Sequence, residues 1–379
     1  VRLLVAHDVP SARTGGMSRL MGFLHDRVAA AGHEVEYFTA EDLPARLRGR
    51  IRRFGFPAVL WRHVRSRQSG PRPYDVVNVH EPVGAALAVD AALRRRLKVV
   101  VTSHGVERRA WDLEKSRPVD PPSLRKRVVY PGTGLWQSTL SLRLADHVFC
   151  LNEEDRAWLQ AHHRRPAHTL TRLFPGALPV YAEAAGARDY ARGERLLFAG
   201  TWRTNKGIHD LVPAFEALAR ARPAVTLTVL GAGFPPERVL SDFPASVRPR
   251  VQVVTARGDG EAAQVFAAHD LFVLPSLFEG TPLTLVEALM SGLPVLTTAT
   301  CGMKDVVTSA RTGWLVPPGD ARALAVALQR LVDDAALRKA VGEAGGALAR
   351  AHYTWDRVAE VPLRAYDSLG DRFTATTSG

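Results

Sequence analysis

The sequence is poor in cysteine, with only Cys150 and Cys301 among 379 residues. They lie far apart in apolar or loop contexts, so they read as free thiols, not a disulfide framework, and fit a reducing cytoplasm. No apolar run approaches the roughly 18 residues that a bilayer-spanning helix needs. The opening residues, Val1–Ala6, are too short and unflanked for a signal peptide and read as a first strand. Metal-site vocabulary is missing too: there is no Asp-x-Asp pair, no Cys/His cluster at zinc spacing and no His-Glu-x-x-His. No serine nucleophile elbow, no Walker lysine loop and no short fixed-period repeat occurs.

What is there suits an ordinary soluble globular chain, 46% hydrophobic and 23% charged. Its length fits two domains of roughly 150–200 residues each. The net charge of +12 is uneven: residues 1–185 hold 29 of the basic residues against 18 acidic ones, and the remainder is nearly balanced. That excess suits an anionic lipid surface, a phosphorylated acceptor or nucleic acid, although no nucleic-acid recognition motif accompanies it. A compositional taste for arginine, 44 of the 50 basic residues, explains it equally well. Residues 44–70 concentrate the pattern. Leu47, Ile51, Phe54, Phe56, Val59, Leu60, Trp61 and Val64 alternate with arginines that include Arg50, Arg52 and Arg53, at helical intervals broken at Gly55 and Pro57. Such a segment can lie in a membrane interface, or form a surface helix pair that buries its apolar side on its own domain.

Strands and helices alternate along the chain. Val1–Ala6 is followed by a loop from His7 through Pro10 and Thr14 to Gly15-Gly16, then a helix stopping at Gly32 and a strand at 33–38. The two glycines thus sit at a strand-to-helix turn, where backbone can approach a ligand. Strands at 75–80, 98–102 and 147–151 follow, the second ending in Ser103-His104-Gly105-Val106-Glu107. Polar residues just past the carboxyl end of a parallel strand are where α/β folds place ligands. The Pro-, Ala-, Gly- and Arg-rich run 175–195 reads as a linker. A strand at 195–200 then opens a second set, with Lys206-Gly207 on its strand-to-helix loop, and strands at 225–230 and 251–254 come next.

The run Asp270–Pro275 is a buried strand by its pattern, and Phe278-Glu279-Gly280-Thr281-Pro282-Leu283-Thr284 leads from it into a helix reaching Met290. Thr281 reads as N-cap and Pro282 as the first helical residue, leaving the amides of Leu283 and Thr284 at the positive end of the helix dipole. That suits a phosphate. Glu287 lies two turns in; by itself it would read as a solvent-facing glutamate.

This stretch, with Ser291-Gly292-Leu293-Pro294-Val295 closing it and the motifs at 15–16, 206–207, 302–305 and 312–320, resembles the family 4 (group 1) retaining glycosyltransferases. The resemblance implies an α/β fold of two Rossmann-like domains facing across a cleft (GT-B), with a C-terminal helix crossing back to the first. The implied division is an acceptor domain at 1–180, a nucleotide-sugar domain at 190–352, a crossover helix at 353–370 and a tail at 371–379, disordered from Thr374 on. It implies that Glu279 positions the donor sugar, Glu287 holds the ribose, and Gly280, Thr281, Leu283 and Thr284 line the donor. Gly15-Gly16 would lie against the diphosphate and acceptor, His104 near the sugar, and Val254 and Arg257 along the base. Lys206 would meet the diphosphate. The family's arginine is replaced here by Thr201, and Arg203 is near enough to substitute. The implied reaction is metal-independent hexosyl transfer from a UDP- or GDP-linked sugar to a hydroxyl acceptor, with retention. No bound cofactor and no nucleic acid enter it. The basic half adds an anionic or lipid-linked acceptor, peripheral contact of 44–70 with the inner face of a plasma membrane, and a cytoplasmic location. An epimerase of the same architecture and a non-catalytic nucleotide-sugar-binding module are the competing readings.

Overall fold

A computed structural model describes every residue except 10–14, 50–51, 95–96, 118 and 375–379. Pro10 and Thr14 of the first loop, Arg50 and Ile51 of the arginine-rich segment, Pro118 and the end of the tail therefore lie outside the described residues. The chain divides into two compact units, Val1–Phe174 with 356–379, and Pro175–Trp355.

In unit 1 the elements run β1 (Arg2–Ala6), α1 (Gly16–Ala30), β2 (Glu34–Phe38), α2 (Arg52–Gln68), β3 (Val76–His80), α3 (Ala85–Arg94), β4 (Lys98–Ser103), α4 (Glu107–Ser116) and α5 (Leu124–Tyr130). A π-helical turn at Pro131–Leu135 joins α5 to α6 (Trp136–Leu144), and β5 (His147–Cys150), α7 (Glu153–His163) and β6 (Leu170–Arg172) follow. The sheet is parallel throughout, ordered β2-β1-β3-β4-β5-β6. Its central strands are buried on both faces, which is why they read as near-continuous Val/Leu runs. The strand order reverses between β1 and β3, so loops leaving those strands open a crevice at their carboxyl ends. The elements α4 and β6 were not anticipated from sequence, and β6, three residues long, is too short to show a pattern.

From Arg52 to Gln68 the arginine-rich segment is one helix, α2, that runs through Gly55 and Pro57 without breaking, and a separate 3-10 turn, Ala45–Leu47, precedes it. A proline inside a helix costs about 3 kcal/mol. Phe56, Leu60 and Val64 are all buried in the core with Leu4, Val77 and Val99, and each such burial contributes roughly 1.5–3 kcal/mol, so packing prevails. Phe56 thus points into unit 1, where no lipid can reach it; Trp61 packs partly on the same core and Phe54 is exposed.

Unit 2 contains α8 (Val180–Ala185), β7 (Arg195–Ala199), α9 (Ile208–Ala221), β8 (Thr226–Leu230), α10 (Pro236–Leu240), β9 (Val251–Val254), α11 (Asp259–Ala267) and β10 (Leu271–Leu274). It continues with α12 (Leu283–Met290), β11 (Val295–Thr298), α13 (Cys301–Val306), β12 (Trp314–Val316), α14 (Ala321–Asp333) and α15 (Ala335–His352). Its parallel sheet is ordered β12-β11-β10-β7-β8-β9, reversing between β10 and β7. Residues 175–195 are not a linker. Tyr181 of α8 is fully buried against Phe266, and the half-buried Arg188 and the buried Arg338 staple the rest in place. Arg188 Nε donates to Ser291 O at 3.0 Å, and Arg338 donates to Leu331 O at 2.7 Å and to Ala191 O at 2.8 Å. In unit 1, Arg165 likewise donates to Ala145 O at 2.6 Å. Part of the arginine content therefore satisfies buried carbonyls and is no surface charge.

The chain enters unit 2 beside the place where it leaves: Ala177 N–H donates to Tyr353 O at 2.8 Å. The last helix, α16 (Trp355–Thr374), then belongs to unit 1 from Asp356 on and continues past the expected end at residue 370 into the expected tail. Tyr366 anchors it. Its hydroxyl accepts from Asn78 Nδ2 at 2.7 Å and lies 3.1 Å from His25 Nε2, while Thr102 Oγ1 donates to Asn78 Oδ1 at 2.9 Å. The Tyr366 ring meets Phe149 edge-on.

Candidate active site

The residues with the strongest chemistry in unit 2 gather where the strand order reverses. β7 leads into the loop bearing Arg203, Asn205 and Lys206, and β10 leads into the loop bearing Ser276 and Glu279. The two loops are stitched together by Leu277 N–H donating to Asn205 O at 2.8 Å. Gly207 permits that approach. It holds a left-handed φ of 71°, and a Cβ there would fall 1.8 Å from Pro275 O. The result is an ion pair, Lys206 Nζ to Glu279 Oε1 at 2.6 Å, with Asn205 Nδ2 and Ser276 Oγ each 3.5 Å from the same oxygen.

Next to this pair α12 begins. Pro282, not Thr281, occupies the cap position, its φ of −67° fixed by the ring and its ψ of 129° extended, and no side chain caps the helix. The first amides are still those of Leu283 and Thr284, and a helix offers no internal acceptor to its leading N–H groups. Gly280 and Thr281 are held from behind by α13. Gly302 N–H donates to Gly280 O at 2.8 Å, and a Cβ on Gly302 would fall 2.1 Å from Thr281 Oγ1. Glu287 is no solvent-facing glutamate: at 2% exposure it points into the fold. Arg203 and Thr201 are both exposed on the β7 loop. Val254 ends β9, with its carbonyl accepting from Gly231 N–H at 3.0 Å, and Arg257 is exposed beyond it. These last two sit at the edge of the sheet, away from the β7–β10 reversal.

Unit 1 has its own cluster at the carboxyl ends of β1, β3 and β4. Gly15 caps α1 and Gly16 opens it, fixed by Gly15 N–H to Ser18 Oγ at 3.2 Å. His104 does not stand alone. Its Nε2 lies 2.7 Å from His80 Nδ1 with the rings stacked, a contact that needs one N–H and one lone pair. Burial pushes His104 down to about 4 and His80 well below its ordinary value, so both rings are neutral at neutral pH. Beside them Glu81 is buried and pushed up to about 8, first by desolvation and then by the neighbouring Glu107. Ser138 Oγ donates to Glu81, and Glu107 accepts from Tyr130 OH. Among the described residues, His80 Nε2 and Glu81 Oε2 are buried without a hydrogen-bond partner, an arrangement that a hydroxylated ligand would satisfy.

Two related family models match the chain: the one described as Glycosyltransferase Family 4 covers residues 14–177, and Glycosyl transferases group 1 covers 193–334. The chain belongs to the family 4, group 1 glycosyltransferases. A D-inositol 3-phosphate glycosyltransferase of Arthrobacter is 26% identical over 98% of this chain and 96% of its own length. A glycogen synthase of Mycobacterium tuberculosis is 28% identical over 48% of this chain, a match that spans only 44% of that protein. Among solved structures, sucrose-phosphate synthase from Thermosynechococcus elongatus superposes with a TM-score of 0.77 at 21% identity, covering 99% of this chain and 100% of that one. Anabaena HepE in complex with UDP-glucose gives 0.65 at 17% identity over 99% of both. These likenesses establish the two-unit GT-B fold.

Sequence reading of this glycosyltransferase missed His80, Glu81, Asn205 and Ser276, while Glu107 lay within the polar run it singled out after β4. The signal for the first two was present. His80-Glu81-Pro82 follows a strand as Ser103-His104-Gly105 does, and the same rule about strand ends would have found it.

Proposed function

We propose that this glycosyltransferase moves a hexosyl group from a UDP- or GDP-linked sugar to a hydroxyl acceptor, with retention of anomeric configuration and without a metal ion. The observation that carries the reading is the Lys206–Glu279 pair at the β7–β10 reversal, beside the leading amides of α12. In the reaction, the bond from the anomeric carbon to the diphosphate oxygen breaks and its electron pair leaves with the diphosphate. Lys206 Nζ and the amides of Leu283 and Thr284 meet that growing negative charge, the role a metal would otherwise take. Once the diphosphate draws Lys206 away, the Glu279 carboxylate is released to the sugar hydroxyls. Glu287 takes the ribose, Gly280 and Thr281 shape the loop over the donor, and Arg203 stands in for the arginine absent at Thr201. Val254 and Arg257 edge the base.

Gly15-Gly16 are assigned to the diphosphate and acceptor, and His104, which His80 orients, to the sugar. The acceptor hydroxyl attacks the anomeric carbon on the face the diphosphate leaves, and its proton passes to the departing diphosphate. That path retains configuration without a covalent intermediate. Family membership and the UDP-glucose held by the Anabaena relative support a nucleotide-sugar donor.

Thermal-shift screening against UDP- and GDP-linked hexoses tests the donor, because binding to the native state raises apparent stability. Donor consumption should then require an acceptor and persist in chelator. Consumption without acceptor would assign an epimerase. Donor binding with no turnover on any acceptor would assign a binding module. Turnover abolished by chelator and restored by a divalent ion would refute the metal-free step.

A further inference from the structure

The helix α5 buries none of its apolar residues. Leu124 is 80% exposed, Val128 78% and Val129 47%, and Trp136, which opens α6 beyond the π-helical turn, is 48% exposed. Leu124 and Val128 are four apart and share one helix face. A lone exposed leucine is unremarkable, but four large apolar side chains within thirteen positions form a patch that calls for an occupant. Arg125, Lys126 and Arg127 sit among them, so that Leu113–Trp136 carries five basic residues against two acidic ones. Lys126 reaches Glu114 at 2.5 Å and lies over Trp111, which orients one of the charges, while Arg125 is exposed.

We propose that α5 and its flanks dock the protein on an acidic lipid bilayer. The two terms of interfacial binding occur together here: apolar side chains open to insertion, and cations beside them for the headgroups. A second copy of the chain is the poorer occupant, because its identical patch would bring basic residues against basic residues. The helix α2, more strongly basic in sequence, is the poorer surface, because its apolar face is committed to the core of unit 1. The proposal stands on exposure and charge and is independent of the glycosyl-transfer reading.

The test is co-sedimentation of the whole chain with vesicles of phosphatidylcholine alone or mixed with phosphatidylserine. The protein should pellet with the mixed vesicles, release into high salt, and stay in solution with phosphatidylcholine alone. Each lost basic residue should lower partitioning on the order of five-fold, so Arg125→Glu with Arg127→Glu should lower it at least about 25-fold. The apolar pair Leu124→Asp with Val128→Asp should abolish it, and both being exposed, circular dichroism and thermal melting should be unchanged. Failure to pellet at low salt, or pelleting indifferent to both double variants, would overturn the proposal. So would loss of pelleting in Arg62→Glu with Arg65→Glu on α2 but not in the α5 variants. Self-association in sedimentation velocity that Leu124→Asp with Val128→Asp removes would assign the patch to a second copy instead.

Discussion

Glu279→Gln should tighten the binding of free nucleoside diphosphate while it lowers turnover. Lys206 is engaged in this structure, 2.6 Å from Glu279 Oε1, so a diphosphate must compete with a carboxylate for the same ammonium. Both side chains are largely shielded, with side-chain exposures of 15% and 16%. The pair therefore lies between an exposed one, worth tenths of a kcal/mol, and a fully desolvated one, whose breaking costs several. An intermediate value of about 1 kcal/mol corresponds to roughly five-fold in affinity. Gln keeps the shape and a hydrogen-bonding oxygen but gives up the charge, which frees Lys206 for the diphosphate. Isothermal titration with UDP and GDP should show this gain of about five-fold for whichever base the protein accepts. Lys206→Ala should move the other way, weakening nucleotide binding and cutting turnover by roughly 10²–10³, since its contact strengthens as the leaving group departs. Turnover with the full donor should also fall in Glu279→Gln, because a carboxylate that meets the sugar as positive charge develops acts in the transition state. If Glu279→Gln binds the diphosphate more weakly than the native protein, the exchange of partners at Lys206 is wrong. The ion pair would then be a structural strut.

Glu287→Gln should raise the Michaelis constant for donor with little change in turnover, since a ribose contact is made equally in ground and transition states; steady-state kinetics separate the two. Tyr366→Phe leaves Asn78 Nδ2 and His25 Nε2 without their shared hydroxyl and should cost about 1–3 kcal/mol in denaturant unfolding of unit 1. Glu81, pushed up to about 8, supplies stability that is complete below its unfolded value near 4.5 and is lost as pH rises towards 8. His25 and His104, both pushed down to about 4, act oppositely, supplying stability above about 6.5 that is lost as pH falls towards 4. Urea unfolding followed against pH should therefore weaken at both ends, and Glu81→Gln should remove the alkaline loss alone.

The α/β architecture was legible because buried parallel strands write themselves as short apolar runs stopped by glycine, proline or serine. The two loops that meet at the β7–β10 reversal were legible for a related reason: Lys206-Gly207 and Glu279–Thr284 are contiguous words. What stayed hidden depends on tertiary partners. His80 and His104 meet across 24 residues of chain, and nothing local to either announces the other. Pro57 breaks a helix on local grounds, and only the burial of Phe56, Leu60 and Val64 keeps α2 continuous through it. Arg165, Arg188 and Arg338 look in sequence like any surface arginine, yet each directs its donors to buried carbonyls. A charge count therefore draws attention to α2, whose basic residues are conspicuous by number. What sets α5 apart is the apolar face that no neighbour covers, and a sequence does not display which faces are covered.

The split of unit 1 around unit 2 has a consequence for how the chain is made. Synthesis runs from the amino end, so all six strands of unit 1 emerge first, then the whole of unit 2, and only then Asp356–Thr374. Through that interval the socket lined by His25, Asn78 and Phe149 stands open, waiting for Tyr366. Unit 2 has no such wait: its sequence is continuous, and it can close as soon as it leaves the ribosome. A stop codon within α15 would thus leave a nascent chain whose first unit has every strand of its sheet and still lacks the helix that completes it.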